Sequence, residues 1–325
     1  MKIFVTRIIP SGAVATLQEA GITVDQWQEK RNIGHQELID ICKKYDGLIS
    51  VGQDLIDRSF LQSCRHLKVI AQMAVGFDNI DVEEATRLGI PIGNTPGVLS
   101  KATADTAFLL MMAVSRKAMY MNHKIMRGEW GFYEPTADLG IELHGKTLGI
   151  FGLGKIGLEM ARLCQGAYGM KIIYCNRNHN PEAENATGAR KVNFEELLAF
   201  SDVLSVHTAL TAQTKGIFNR QAFDQMKKTA IFINTARGSI HNEEDLIEAM
   251  RQGSIWGCGL DVTNPEPMQP DNPLLDMPTA VILPHIGSAT QQTRAAMAAI
   301  AAENILACRK GEPLPYPVNP ELYKP

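Results

Sequence analysis

The chain has 325 residues, of which 45% are hydrophobic and 21% charged, and its formal net charge is −3. This composition is typical of globular proteins, and the length favours two domains over one. The small negative charge gives no reason to expect a nucleic acid or an anionic membrane as partner. No apolar run approaches the roughly 20 residues of a membrane-spanning helix.

The N-terminus and the cysteines indicate a cytoplasmic protein. Residues 1–7 look like a first strand and lack the apolar stretch and cleavage site of a signal peptide. The cysteines are scattered without a C-x-x-C pair, which favours reduced thiols over a disulfide framework or a zinc site. We therefore expect no metal ion in the functional site.

Residues 2–95 alternate short apolar runs with amphipathic stretches, which predicts β-α units and a mostly parallel sheet. The predicted strands are Ile3–Ile9, Ile22–Trp27, Gly47–Val51, Val69–Ala74 and Ile90–Gly93. The predicted helices are Ser11–Ala20, His35–Lys44, Asp57–Gln62 and Val82–Leu88. No dinucleotide-binding glycine motif occurs in this part of the chain.

The longest helical pattern runs from Ser100 to Arg127. Between Ala107 and Val114 it is apolar on every face, and a helix of that kind is normally buried all round. A subunit interface would supply such burial, so the pattern predicts a homo-oligomer. The alternative is a helix enclosed within one large domain.

A glycine-rich turn follows the short apolar run Leu148–Phe151. Gly152, Gly154 and Gly157 have the spacing G-x-G-x-x-G, and the residues from Leu158 onward have helical periodicity. Strand, glycine turn and helix are the context that a dinucleotide-binding motif requires, with the helix N-terminus facing a pyrophosphate. The alternative is a glycine-rich turn in another kind of α/β protein.

The second half of the chain continues as β-α units and predicts a doubly wound sheet, whose ligands bind at the carboxyl ends of the strands. Its predicted strands are Thr147–Phe151, Lys171–Cys175, Val203–His207, Ile231–Thr235, Gly257–Asp261 and Val281–Pro284. Residues at or just past these strand ends are Arg177, His207, Arg237, Asp261 and His285.

A last helix, Gln291–Arg309, is expected to return to the first domain and make that domain discontinuous. The predicted architecture is therefore α/β, with two doubly wound parallel-sheet domains. A Rossmann cofactor domain, residues 100–287, is inserted into a flavodoxin-like substrate domain formed by residues 1–99 and 288–325.

The residues after the second strand of the cofactor domain bear on the choice of cofactor. A carboxylate there would hold the ribose 2′-hydroxyl of NAD, but Asn176 and Arg177 occupy these positions. A guanidinium can bind a 2′-phosphate with two hydrogen bonds, so we expect NADP(H) to be preferred and NAD(H) to be possible. The alternative is a solvated surface arginine and dual cofactor use.

Three residues are candidates for catalysis. Arg237 follows a strand and suits a carboxylate substrate, although it could instead form a structural ion pair. His285 can exchange a proton near neutral pH, and Glu266, between two prolines, could orient its ring. His123, His144 and His241 are expected to be surface residues.

Several blocks resemble the signatures of the D-isomer-specific 2-hydroxyacid dehydrogenases, most closely the glyoxylate/hydroxypyruvate reductase branch. The resemblance covers nearly the whole chain, in order and at matching spacing. The blocks are Val75–Asp81, the Gly152 loop, Asn234–Gly238, Gly259–Pro267 and Pro284–Thr290.

The resemblance implies reduction of a short 2-oxo acid to a D-2-hydroxy acid. His285 would be the general acid/base, Glu266 would pair with its far nitrogen, and Arg237 would bind the substrate carboxylate and carbonyl oxygen. The backbone amides of Val75 and Gly76 would bind the other side of that carboxylate. The family fold also implies a homodimer built on the long helix, residues 100–127, and a cleft that closes by hinge motion.

The resemblance also implies further ligand contacts. Asp261 would contact the nicotinamide amide, and the segment 50–54, with Val51 and Gly52, would line the substrate pocket. The other residues implied at the cofactor are Thr103, Gly152, Gly154, Lys155, Ile156, Gly157, Asn176, Arg177, His207, Thr235, Ala236 and Gly287.

One departure from related mammalian reductases limits what can be inferred about substrate preference. In those enzymes a tryptophan a few residues past a Gly-x-Trp element reaches toward the neighbouring active site. Here Trp130 is retained, but the later position corresponds to Tyr133. The remaining alternatives are a reductase of a longer sugar acid, such as 2-ketogluconate, and a cofactor-sensing binding module like the family's corepressors.

Overall fold

The structure is a computed structural model that describes residues 1–52 and 54–323. The chain divides into two compact units. Unit 1 contains Met1–Leu99 together with the segment that begins at Ala289, and unit 2 contains Ser100–Ser288. Gln53, in the segment expected to line a substrate pocket, and the last two residues of the proline-rich tail lie outside the described residues.

The secondary-structure elements alternate along both units. The strands are β1 Lys2–Val5, β2 Thr23–Gln26, β3 Gly47–Ser50, β4 Val69–Gln72, β5 Ile92–Gly93, β6 Thr147–Phe151, β7 Lys171–Cys175, β8 Arg190–Lys191, β9 Val203–Val206, β10 Ile231–Asn234, β11 Gly257–Leu260 and β12 Ala280–Ile282. The helices are α1 Ser11–Glu19, α2 His35–Cys42, α3 Arg58–Ser63, α4 Val82–Arg87, α5 Ser100–Ser115, α6 Ala118–Met126, α7 Lys155–Tyr168, α8 Pro181–Thr187, α9 Phe194–Phe200, α10 Arg220–Asp224, α11 Glu243–Gln252 and α12 Gln291–Lys310.

Unit 1 contains a parallel five-stranded sheet in the order β2-β1-β3-β4-β5. This is the flavodoxin-like order, which reverses direction between β1 and β3. Helix α12 packs against α1 and β4, so the C-terminal segment helps to cover this sheet.

Unit 2 contains a parallel seven-stranded sheet in the order β12-β11-β10-β9-β6-β7-β8. Counted from β6, the order 3-2-1-4-5-6 is that of the doubly wound dinucleotide-binding fold, with one more strand at the far edge. The two parallel α/β sheets confirm the predicted fold class.

The strands of unit 2 are buried on both faces. In β10, Ile231 and Ile233 belong to one apolar core, while the intervening Phe232 belongs to the core on the other side. Successive side chains of a strand point to opposite faces, so a strand covered on both sides must be apolar throughout. For this reason, the apolar runs in the sequence predicted the bounds of β6 and β7 correctly.

One sequence prediction for the first part of unit 2 was wrong. The single helix Ser100–Arg127 is two helices, α5 and α6, because Lys117 adopts a left-handed conformation with φ of 52°. The backbone N–H of Ile141 donates to the carbonyl of Ser115 at 2.9 Å and satisfies the end of α5 there. Leu109 on α5 is 55% exposed in the single chain, so the chain itself does not supply the all-round burial that the sequence analysis assigned to a subunit interface.

Other differences from the sequence predictions are small. Strand β1 ends at Val5 instead of Ile9, and β8, with only Arg190 and Lys191, was not predicted. A strand of two charged residues carries no apolar signal. Among the described residues, no helix combines the length and apolar character needed to cross a bilayer.

Candidate active site

The glycine loop connects β6 to the N-terminus of α7. Gly152 has φ of +99°, and a Cβ atom there would lie 2.7 Å from the backbone nitrogen of Thr208, so only glycine fits the turn. A Cβ on Gly157 would lie 2.8 Å from the Gly152 carbonyl oxygen, which keeps α7 close to β6. A Cβ on Gly154, by contrast, would meet no atom within 4 Å, so this position leaves open space for a ligand.

Lys155 and Ile156 are the first residues of α7. The first hydrogen bond of the helix joins the N–H of Leu158 to the carbonyl of Gly154, so the N–H groups of Lys155 and Ile156 have no partner within the helix. A helix N-terminus of this kind favours an anion. Together with the open approach at Gly154, these groups fit the pyrophosphate of a dinucleotide.

Asn176 and Arg177 follow β7, as the sequence predicted, but they differ in what they contact. Asn176 Oδ1 accepts from the Leu153 backbone N–H at 2.7 Å, and its Nδ2 donates to the Leu153 carbonyl at 3.2 Å. Asn176 therefore supports the glycine loop. Among the described residues, the exposed Arg177 guanidinium forms no ion pair, and Lys191 Nζ donates to the Arg177 carbonyl at 3.1 Å.

His207 and Thr235 lie together at the ends of β9 and β10. His207 Nδ1 is 3.4 Å from Thr235 Oγ1, and its Nε2 is 2.8 Å from Ser205 Oγ. Burial lowers the pKa of His207 to about 4, so this ring is neutral at physiological pH.

Asp261 organises the loop that carries His285. Its buried carboxylate accepts from the backbone N–H groups of Ile286 and Gly287, each at 2.7 Å. Burial raises the pKa of Asp261, although these two hydrogen bonds act in the opposite direction. A Cβ on Gly287 would lie 2.9 Å from Asp261 Oδ2 and 3.3 Å from Thr103 Cγ2, so the predicted residues Thr103, Asp261 and Gly287 are close neighbours.

His285 and Glu266 form a hydrogen-bonded pair. His285 Nδ1 lies 2.6 Å from Glu266 Oε1, and the side chains are 41% and 23% exposed, respectively. A carboxylate accepts from Nδ1–H, which leaves Nε2 as the ring nitrogen available to another group. Burial alone would raise the pKa of Glu266, but the hydrogen bond and charge of His285 lower it, so Glu266 is ionised at neutral pH.

The positive charge of Arg237 also acts on this pair, since it lowers the pKa of Glu266. One guanidinium nitrogen, Nη1, donates to the carbonyl of Ala236 at 2.8 Å. The three residues predicted to be catalytic are thus brought together within unit 2, as are most of the residues predicted at the cofactor.

Unit 1 holds four of the residues predicted to bind substrate, Val51, Gly52, Val75 and Gly76, whereas Arg237 and His285 belong to unit 2. The backbone N–H of Val51 donates to Thr6 Oγ1 at 2.9 Å, and the carbonyl of Gly52 accepts from Gln72 Nε2 at 3.2 Å. Among the described residues, the N–H groups of Val75 and Gly76 donate to no protein acceptor. They fit an external anion better than the N–H of Val51 does.

His241 is not the surface residue that the sequence analysis expected, since it is only 1% exposed. It lies between the ring of Phe232 and the side chains of Asn234 and Glu243. Burial lowers its pKa to about 4. Sequence reasoning missed Asn234 and Glu243 as site residues, although Asn234 belongs to the block that contains Arg237.

Comparison with known proteins identifies the family. Residues 108–287 match the family model described as "D-isomer specific 2-hydroxyacid dehydrogenase, NAD binding domain". The chain is 41% identical to a glyoxylate reductase of Thermococcus litoralis, covering 99% of this chain and 97% of that protein. It is 39% identical to the human glyoxylate reductase/hydroxypyruvate reductase, covering 97% of each.

Solved structures agree with this match. A protein of Thermus thermophilus superposes with a TM-score of 0.90 at 40% identity, covering 98% of this chain and all of that one. An NADPH-dependent glyoxylate/hydroxypyruvate reductase of Sinorhizobium meliloti, in complex with NADP and malonate, gives a TM-score of 0.85 at 28% identity, covering 98% and 96%. The chain therefore belongs to the D-isomer-specific 2-hydroxyacid dehydrogenase family of NAD(P)-dependent oxidoreductases, in its glyoxylate reductase branch.

Proposed function

We propose that the protein reduces a short 2-oxo acid, of the glyoxylate or hydroxypyruvate type, to the D-2-hydroxy acid, with NADPH as the preferred reductant. The observation that carries the proposal is the His285–Glu266 pair beside Arg237, in the unit that also holds the dinucleotide-type glycine loop. The names of the relatives support the same substrate class.

The chain's own residues would act on the substrate as follows. When bound, the reduced nicotinamide supplies a hydride for the carbonyl carbon. His285 donates its proton to the carbonyl oxygen, and Glu266 orients the ring through the hydrogen bond to Nδ1. Arg237 binds the carboxylate and stabilises the negative charge that develops on the carbonyl oxygen. In unit 1, the backbone N–H groups of Val75 and Gly76, which donate to no acceptor among the described residues, are available to a carboxylate.

The residues of unit 2 also suggest how the cofactor is held. The N-terminus of α7, with Lys155 and Ile156, binds the pyrophosphate beside Gly154. Arg177 binds the ribose 2′-phosphate, and Lys191 adds a second positive charge near it, since its Nζ contacts the Arg177 backbone.

A substrate panel tests the proposed activity. The purified protein is assayed with glyoxylate, hydroxypyruvate, pyruvate and 2-ketogluconate, each with NADPH and with NADH. We expect the highest kcat/KM for glyoxylate or hydroxypyruvate with NADPH. Higher values for 2-ketogluconate would assign a sugar-acid reductase instead, and no turnover on any acid would favour a binding module.

The cofactor preference depends on Arg177. Loss of one charge-assisted hydrogen-bonding group costs about 1.5–3 kcal/mol, which corresponds to roughly a 10- to 100-fold change. We therefore expect Arg177→Ala to lower the ratio of kcat/KM for NADPH over NADH by roughly that factor. Arg251→Ala, an exposed arginine on α11, is the matched control and should leave the ratio unchanged. An unchanged ratio in Arg177→Ala would reject the phosphate contact.

A further inference from the structure

A buried polar cluster lies behind the candidate catalytic residues. It consists of Asn234, His241 and Glu243, whose relative exposures are 0%, 1% and 7%. Asn234 ends β10, and Glu243 begins α11. Buried polar groups are costly unless they are hydrogen-bonded, so the bonds that they form define what the cluster does.

The Asn234 side chain holds the turn that carries Arg237. Its Oδ1 accepts from the backbone N–H of Ala236 at 2.9 Å, and its Nδ2 donates to the carbonyl of Arg237 at 2.9 Å. Nδ2 also lies 3.0 Å from His241 Nδ1. Because the amide oxygen is already bound to Ala236, Nδ2 must donate to His241, which leaves the ring proton on Nε2.

Glu243 holds the segment that leads to Glu266. Its Oε2 accepts from the backbone N–H of Asn264 at 2.8 Å, and its Oε1 accepts from Asn272 Nδ2 at 2.6 Å. His241 Nε2 lies 4.0 Å from Glu243 Oε2, which is too far for a hydrogen bond, and this buried nitrogen has no hydrogen-bond partner among the described residues.

The two supported segments also touch directly. A Cβ atom on Gly238, the residue after Arg237, would lie 1.9 Å from the carbonyl oxygen of Thr263. The Arg237 turn therefore packs backbone to backbone against the residue that precedes Asn264. Any shift of one segment must move the other, because interiors are close-packed.

We propose that Asn234 and Glu243 are positioning residues: Asn234 fixes the Arg237 turn, Glu243 fixes the Glu266 segment, and the contact between Gly238 and Thr263 holds the two relative to each other. The inference rests on the proposed function of Arg237, Glu266 and His285. Neither Asn234 nor Glu243 touches the substrate in this scheme. Their effect on the rate comes from the geometry that they impose, and small displacements of catalytic groups have large effects on rate.

The first test uses Glu243→Gln, which keeps the size of the side chain but replaces one acceptor oxygen by an N–H group. One of the two hydrogen bonds to Asn264 and Asn272 is then lost. We expect kcat for 2-oxo acid reduction to fall roughly 10- to 30-fold, with less than a twofold change in the KM for NADPH. Glu244→Gln removes an exposed carboxylate from the same helix turn, and we expect it to have wild-type kinetics.

The second test concerns the Arg237 turn. Asn234→Ala removes the hydrogen bonds to Ala236 and Arg237, so we expect the KM for the 2-oxo acid and the inhibition constant of malonate each to rise roughly tenfold. Malonate cannot be reduced, so its binding reports the position of the guanidinium without chemistry.

A third measurement separates positioning from general loss of stability. Amide hydrogen exchange, followed by mass spectrometry, should become at least tenfold faster in the segment 263–268 of Glu243→Gln, while the strands of unit 2 keep wild-type rates. Faster exchange throughout unit 2, or wild-type kcat in Glu243→Gln, would overturn the positioning role. A wild-type protein that reduces no 2-oxo acid would instead refute the proposed function itself.

Discussion

His285 occupies a backbone conformation that few non-glycine residues adopt. Its φ is +55°, and its N–H donates to the Leu283 carbonyl at 3.1 Å. Histidine is among the residues enriched in this region, and such conformations concentrate at functional sites. Two sets of hydrogen bonds stabilise this conformation. The His285 ring is bonded to Glu266, and the N–H groups of the next two residues donate to the Asp261 carboxylate.

The first residue-scale prediction is that His285→Asn lowers kcat by roughly 10²–10⁴-fold, the usual contribution of a general acid. Asparagine tolerates a left-handed backbone better than alanine does, so the variant removes the proton donor with little added strain. We expect the KM for NADPH to stay within about twofold of wild type. Turnover is measured under saturating glyoxylate or hydroxypyruvate.

His144→Asn is the control for that prediction, because His144 is an exposed histidine of the same unit and should be dispensable. Near-wild-type turnover in His285→Asn would remove His285 from the proposed role. A partial loss in Glu266→Gln, smaller than that in His285→Asn, would agree with a carboxylate that orients the ring without exchanging the proton.

The sequence was informative about which residue types the site contains and less so about what each one contacts. Arg237, Glu266 and His285 were predicted, and the structure brings them together. The resemblance implied a nicotinamide contact for Asp261, but it did not indicate that both carboxylate oxygens accept from the backbone of the His285 loop. His241 was misplaced because its burial depends on Phe232, Asn234 and Glu243, which only the folded chain assembles.

At the scale of the element, the break between α5 and α6 had no local signal. The sequence Arg116-Lys117-Ala118 contains neither glycine nor proline, so periodicity alone predicted one continuous helix. The break is stabilised by a contact from outside the helix, the hydrogen bond from Ile141 to Ser115. Lys117 Nζ also lies 5.3 Å from the centre of the Trp256 ring, a cation–π distance.

The element-scale prediction concerns the join between β10 and α11, where His241 is buried. Its pKa falls from 6.5 to about 4 on folding, so the unfolded chain binds a proton first as the pH is lowered. The contribution of His241 to the free energy of unfolding should therefore be fully present above pH 6.5, decrease as the pH falls toward 4, and then level off. Between pH 7.5 and pH 4.5 this contribution changes by about 2–3 kcal/mol.

Urea unfolding of the wild type and His241→Gln at pH 7.5 and pH 4.5 measures this contribution. We expect the decrease in stability between the two pH values to be about 2–3 kcal/mol smaller in the variant. His144→Gln, which removes an exposed histidine, should keep the wild-type pH dependence. If the stability of His241→Gln and of the wild type depended equally on pH, folding would not lower the pKa of His241, and the prediction would be wrong.

At the scale of the whole molecule, the apolar surface of unit 2 is concentrated along one stretch of chain. Leu109 is 55% exposed and Met126 76%, and the segment after α6 adds Trp130, Phe132 and Tyr133 at 74%, 85% and 79%. Exposed apolar patches of this kind mark interaction surfaces. Together with the apolar pattern of residues 100–127, they support our proposal that the protein is a homodimer.

The dimer prediction is that sedimentation equilibrium of the full chain gives about twice the monomer mass of 35.7 kDa. Leu109→Asp should shift the equilibrium strongly toward monomer, because an unpaired carboxylate would have to be buried at the interface. Leu109 is exposed in the single chain, so the substitution should not unfold the monomer itself. Phe200→Asp, at an exposed phenylalanine on α9, is the matched control and should remain dimeric. A monomeric wild type, or a Leu109→Asp variant that dimerises as tightly as wild type, would reject the interface.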